Sequence, residues 1–387
     1  MRHAPLTVAL GGMIAMAAAM GIGRFVYTPI LPYMADALLL ERSEAGLIAA
    51  ANFLGYLVGA MAGATGFLRG NRRNWALGAL AVSGLTTAAM AATVSIPLFL
   101  ILRFLGGVCS AFVMVFGSAL VFDRLAAAGR SELSHVHFAG VGVGISVSAV
   151  LVAGLGPAGI GWSGQWIASG AVALAALVAV VFMIPVGEGS AAPPPQPGDG
   201  GFDRRMIPLI VAYGLFGFGY VITATFISAM VRETPSIASI EPYVWLVVGL
   251  TAVPSVALWT WIGRKIGNPA SIALACLAEG AGVAATVLID DPLAVLVGAG
   301  LLGGTFMGIT AVGLITARQL AVDTERGDPR RAIALLTGSF GAGQMIGPIF
   351  AGYAAETTGD FTTPSLVAAG GLVVSAGLAI SVRMAKA

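Results

Sequence analysis

Charge is what this sequence has least of. Asp, Glu, Lys and Arg together make up 10% of its 387 residues, where a soluble domain carries about 25%, and that deficit excludes a water-exposed globular surface. Cysteine is nearly missing too. Cys109 and Cys276 lie in apolar runs in different halves of the chain, which leaves no disulfide framework and gives each a packing role. The HVH at 135 to 137 has no cysteine or acidic cluster beside it, so the histidines make no metal site, and as residues at a helix entrance they read as solvated. No Gly-rich loop runs into Gly-Lys-Ser/Thr and no nucleophile elbow occurs, so ATP hydrolysis and acyl transfer are not indicated. The expectation is a protein that is not an enzyme and has no cofactor, no metal and no nucleic-acid partner.

What the chain has in abundance is apolar surface: 58% hydrophobic residues, a mean hydropathy of +0.93 and 54 glycines. Small residues let transmembrane helices approach closely, and a helix of about 20 apolar residues crosses a bilayer. Twelve such segments are predicted, at 6–34, 44–66, 75–94, 97–122, 134–157, 163–185, 205–231, 241–262, 270–289, 292–317, 331–355 and 363–383. The first, with its AMAAAMG, imitates a signal peptide, but it has an internal counterpart and is read as a span.

Basic residues set the expected orientation. One face holds Arg2, Arg69, Arg72, Arg73, Arg124, Arg130, Arg204, Arg205, Arg264, Lys265, Arg318, Arg326, Arg330, Arg331, Arg383 and Lys386; the other holds only Arg42 and Arg232. The positive-inside rule puts both termini in the cytoplasm. All six tryptophans fall near predicted helix ends, where an interfacial belt is expected, with Trp245 close to a cavity mouth.

The chain repeats itself. GIGRFVYTPILPYM at 21–34 aligns with GFGYVITATFISAM at 217–230, GN at 70–71 with GN at 267–268, and LGG at 105–107 with LGG at 302–304. Between the copies runs PVGEGSAAPPPQPGDGGFDRR, a flexible linker by composition. The expected fold is an all-α membrane protein of twelve transmembrane helices in two pseudo-symmetric six-helix bundles, 1–185 and 204–387, joined by a cytoplasmic linker at 186–203. Like-oriented halves suit rocking about a site between them.

LRFLGGVCSA at 102–111, GATGFLRGNRR at 63–73 and GQMIGPIFAG at 343–352 resemble motifs of the major facilitator superfamily, and the resemblance covers essentially the whole chain. The acidic position usual in the second motif is Phe67 here, and the Gly-Pro motif stands in the eleventh span rather than the fifth. The GxGRFxYTPxLP string of the first span is similar to a branch of bacterial permeases of unassigned substrate. The resemblance implies a monomeric multi-pass protein of the bacterial cytoplasmic membrane, moving a small molecule with a coupling proton.

Three charges lie well inside spans: Arg24, Arg103 and Glu279. Such residues face a bundle interior or a wet cavity. Arg24 shares a helical face with Tyr27, Thr28 and Leu31, and its repeat mate is Tyr220. It either meets substrate or clamps carbonyls or a carboxylate elsewhere. Arg103 shares a face with Gly107, Ser110 and Met114, and the resemblance implies proton coupling or helix packing for it. Asn52 and Tyr56 form an i, i+4 polar pair and Gln344 stands beside the Gly347–Pro348 break. Arg24, Tyr27, Thr28, Asn52, Tyr56, Tyr220, Trp245 and Gln344 are the candidate substrate contacts. Arg103, Glu279, Asp123 and Arg124 are the candidates for coupling or gating. The excess of positive charge within the spans favours a small organic anion moved by alternating access. The competing expectation is a proton-coupled efflux antiporter for drugs, sugars or other neutral or amphipathic compounds; a non-transporting receptor is disfavoured by the short loops.

The orientation is directly testable. A cysteine at Asp291 should react with a membrane-impermeant maleimide in intact cells, and one at Ser190 only after permeabilisation.

Overall fold

The computed structural model describes residues 4–64, 70–184, 204–322 and 328–382. The 186–203 linker, Phe67, and the basic residues Arg2, Arg69, Arg326, Arg383 and Lys386 fall outside them. Twelve helices cross the molecule: α1 Pro5–Leu38, α2 Arg42–Ala64, α3 Arg72–Ala92, α4 Ile96–Ala127, α5 Ser131–Leu155 and α6 Trp162–Met183. They continue as α7 Arg204–Glu233, α8 Ala238–Ile266, α9 Asn268–Leu288, α10 Pro292–Val322, α11 Pro329–Thr358 and α12 Thr362–Ile380. No strand occurs among the described residues. Hydropathy located every span. It ended α4 and α10 short, because DRLAA and RQLAV prolong both helices with residues too polar for hydrocarbon.

The repeat is visible in the packing. α2 packs on α4 as α8 packs on α10, α1 on α5 as α7 on α11, and α3 on α6 as α9 on α12. A side chain at Gly107 would lie 2.1 Å from the Asn52 carbonyl oxygen, and one at Gly303 2.1 Å from that of Val248. Both pairs shift by the 196 residues that separate Thr28 from Ala224, so one glycine contact is used twice. The repeated GN dipeptides are turns, with φ of +118° at Gly70 and +88° at Gly267, a region that favours glycine. Asn71 then caps α3 by accepting from the Arg73 amide at 2.8 Å.

The two halves meet along α2–α11, α5–α8 and α1–α7. Lipid gives apolar helices little reason to associate, so close van der Waals approach has to supply it. A Cβ at Gly46 of α2 would stand 2.2 Å from the Pro348 carbonyl oxygen of α11, and one at Gly142 of α5 2.6 Å from that of Gly249 of α8.

At one end a polar strap closes the halves together. Arg42 donates to Glu233 at 2.8 Å and to the carbonyls of Ala355 and Gly359 at 3.0 and 2.8 Å. The Ser43 amide donates to Glu356 at 3.2 Å, Arg232 pairs with Asp36 at 3.5 Å, and the Arg232 guanidinium covers Tyr33. The two arginines that stood apart from the other loop cations are therefore the two that fasten this end. Exposed ion pairs contribute about 0.2–1 kcal/mol each, so the strap is strong as a set and separable as single bonds.

The tryptophan belt needs correction. Trp166, Trp245 and Trp259 are buried in protein, while Trp261 is exposed. Trp259 lies against Gly308 and donates to the Gly304 carbonyl at 2.7 Å, and Trp166 packs on Tyr27. Nearness to a helix end fixes depth, but leaves the direction around the helix open.

Removing the strap should open this end. In a Thr225→Cys background, Arg42→Ala is expected to raise labelling by an impermeant thiol reagent several-fold, because Thr225 lines the central cavity; no change would mean that helix packing alone keeps the end shut.

Candidate functional site

The site begins with a break in α1. Residues Ala17–Ile22 widen into a π turn and regular α-helix resumes at Tyr27. Glycines 21 and 23 weaken the helix there, and Pro29 has no amide hydrogen to offer the Phe25 carbonyl. The Thr28 amide turns back to Phe25 at 3.3 Å, and the carbonyls of Gly23 and Arg24 look outward. Arg103 of α4 takes both, through Nη1 at 3.1 Å and Nη2 at 2.9 Å. Its guanidinium lies over the rings of Tyr27 and Trp166, and its own carbonyl accepts from Asn52 at 2.9 Å. The clamp on backbone is thus Arg103, not Arg24.

Arg24 points instead between the halves. It is 3% exposed and its Nη2 donates to Gln344 Oε1 of α11 at 2.8 Å. Phe25, Phe53 and Tyr56 surround the guanidinium, 5.3, 4.7 and 4.2 Å from its carbon to their ring centres. The rings cover its faces and leave its edge for in-plane hydrogen bonds. Gln344 passes the contact on by donating through Nε2 to the Tyr220 hydroxyl. Tyr220 is stacked between Phe306 and Phe340; Phe25 meets Phe306 edge-on and Trp245 beside it.

No carboxylate pairs with Arg24 or Arg103 among the described residues. The donors Arg24 Nε, Arg103 Nε and Trp245 Nε1 are buried without partners. Uncompensated buried cation and unused donors make the centre electropositive. A small cavity bounded by Arg24, Phe25, Tyr27, Thr28, Phe53 and Thr225 has room for about one water molecule, so this conformation is closed around Arg24.

The structure brings Arg24, Tyr56, Gln344 and Tyr220 into one chain of contacts, with Trp245 on its aromatic flank. Tyr27 and Thr28 border the cavity, but their hydroxyls are occupied by the carbonyls of Ala45 at 2.9 Å and Ala224 at 2.6 Å. Asn52 stands behind, holding Arg103. Asp123 and Arg124 are exposed at the far end of α4, where Asp123 pairs with Arg72 at 3.1 Å, so neither joins this centre. Glu279 is 0% exposed within the second half, away from lipid. His135 is exposed, as expected, but His137 is buried against Gly12, with Nε2 2.9 Å from the Ser118 hydroxyl. Phe25, Phe53, Phe306 and Phe340 are not singled out as site residues by the sequence, because one apolar residue in an apolar span carries no signal of its own. The GVGVG at 140–144 is packing surface, as expected: Gly140 and Gly144 approach the Met13 and Ala17 carbonyls.

Residues 16–380 match the family described as the uncharacterised MFS-type transporter YbfB. Among solved structures, a variant of the nucleoside transporter NupG superposes with a TM-score of 0.74 at 14% identity, covering 97% of this chain and 99% of that one. A second NupG structure gives 0.69 at 15% identity, with 97% and 98% covered. A bacterial homologue of the human lysosomal transporter Spinster, inward-facing and unoccupied, gives 0.69 at 14% identity, with 98% and 95% covered. No curated protein matches the sequence. Identities this low establish a shared fold and nothing about substrate. The family match spans nearly the whole chain and agrees with the twelve helices and their internal repeat: the chain belongs to the MFS-type transporter family represented by YbfB, a multi-pass membrane transporter rather than an enzyme.

Proposed function

We propose that this transporter moves a small organic anion by alternating access, with Arg24 as the group that meets the anion and Gln344 as the neutral ligand that holds Arg24 in its absence. One observation carries the reading: a buried guanidinium with no carboxylate partner among the described residues bonds a neutral amide across the interface between the halves. A carboxylate offers arginine two charged acceptors in a bidentate contact, where the Gln344 amide offers one neutral oxygen. An arriving anion therefore displaces Gln344 and cuts the tie between α1 and α11. Binding and release of the bundle interface become one event, which is what alternating access needs.

The protein acts as a monomer in the bacterial cytoplasmic membrane, both termini inside. In that orientation the Arg42 strap seals the outer end. Reopening it requires the exchange of several weak bonds rather than the loss of one strong one.

A neutral or amphipathic substrate, exported against protons, is the competing reading. It draws on the aromatic stack of Phe306, Tyr220 and Phe340 and on the likeness in fold to NupG, a nucleoside transporter.

A ligand that binds only folded protein raises its apparent stability. Thermal shifts with benzoate and other small carboxylates, nucleosides and lipophilic cations separate the readings. Carboxylates are expected to stabilise the wild type, and Arg24→Gln to lose about 1.5–3 kcal/mol of binding, the worth of a hydrogen bond to a charged group. Gln344→Leu is expected to bind carboxylates a few-fold more tightly, since it removes the competitor. Equal stabilisation of wild type and Arg24→Gln by nucleosides, with none by carboxylates, would replace the anion reading by the neutral one.

A further inference from the structure

The central cavity lies between two cations, and the transport reading uses only one of them. Its wall includes Arg24 and Thr28 of α1, Ala49 of α2, Arg103 of α4 and Thr225 of α7. The two arginines are 3% and 4% exposed, and the Nε donor of each is buried with no hydrogen-bond partner. Arg103 feels the charge of Arg24. Neither has a carboxylate partner among the described residues.

Two like charges side by side in an interior without water repel, and each is costly to bury uncompensated. The carbonyls of Gly23 and Arg24 and the amide oxygen of Gln344 accept their Nη hydrogens. Neutral acceptors satisfy hydrogen bonds without cancelling charge. A counter-ion would have to come from outside the chain.

The wall says what kind of ion fits. No Asp or Glu contributes to it, so nothing in it repels a negative charge. Its volume is that of about one water molecule. A carboxylate head group alone has three heavy atoms and is too large. A halide ion is one atom, little larger than water, and it accepts N–H donors from any direction.

We infer that this cavity is a halide site, with one chloride ion held between Arg24 and Arg103 by their Nε donors, separate from the larger organic anion that displaces Gln344. The site does not rest on the transport reading. Three of the helices that form the wall belong to the first half and α7 to the second, so the ion sits where Thr28 meets the Ala224 carbonyl across the interface. Bound chloride therefore favours the conformation that is closed around Arg24.

Thermal stability at constant ionic strength reads the binding, with sodium gluconate replacing sodium chloride. Chloride and bromide are expected to raise the wild-type midpoint by a few degrees, with a further increment for each tenfold of halide above its Kd. Gluconate is too large for the cavity and should add nothing. The increment should vanish in Arg24→Gln, which removes one cation, and in Ala49→Val, which fills the cavity but keeps both arginines. Ala49→Val should bind benzoate as the wild type does. Equal stability in chloride and gluconate, or an undiminished chloride increment in Ala49→Val, overturns the proposal. Loss of benzoate binding together with the chloride increment in Ala49→Val would merge the two sites and overturns a separate halide site. Wild-type crystals grown in bromide need no variant: an anomalous peak is expected between Arg24 and Arg103, and a cavity without one overturns the site. Should benzoate stabilise no form of the protein, the organic-anion reading fails, while the gluconate comparison and the bromide peak still decide the halide site.

Discussion

Two backbone carbonyls govern this molecule. The break that glycine and proline make in α1 frees the oxygens of Gly23 and Arg24, and neither can be left unpaired in an interior without water. Arg103 takes both. Its position across from the break lets α1 be irregular at the centre of the bundle, and that irregularity turns the Arg24 side chain towards α11. The cation on α4 is spent on backbone so that the cation on α1 can remain available. Tyr27, Trp166 and Asn52 have the secondary task of keeping Arg103 in place.

The second half shows what the break adds. Its equivalent helix, α7, is a continuous α-helix over Ile207–Glu233, with Thr225 and Ser228 where α1 has Pro29 and Pro32. Tyr220 occupies the place of Arg24, and Ala299 that of Arg103. The architecture is symmetric while the chemistry is not. One half presents a charge from a loosened helix, the other an aromatic stack from a rigid one, and they touch where equivalent positions meet, Thr28 on the carbonyl of Ala224.

Much of this could be read from the sequence. Twelve spans follow from hydropathy alone, and the paired glycine motifs announce the repeat, because close helix contact leaves small residues as a visible trace. Arg24 stood out as a charge in an apolar run, and Gln344 as an amide beside a Gly-Pro break. What stayed hidden is radial. In helices that are hydrophobic all round, no polar face says which side meets protein, so Trp166, Trp245 and Trp259 looked interfacial and His137 looked solvated. The aromatic ring of residues about Arg24 was invisible for the same reason. Asp123 and Arg124 looked like coupling residues by their type and lie on the rim.

The glycines of α5 serve two neighbours at once. Gly140 and Gly144 lie flush on α1, and Gly142, on another side of the helix, lies flush on α8 of the other half. These contacts are mostly main chain on main chain, with the Met16 Cβ beside Gly140 and the Ile145 and Ser146 side chains against Gly249 of α8. α5 therefore lies within main-chain reach of both the helix that carries Arg24 and the opposing half, and a bulky residue at Gly140, Gly142 or Gly144 would have to push one of them away.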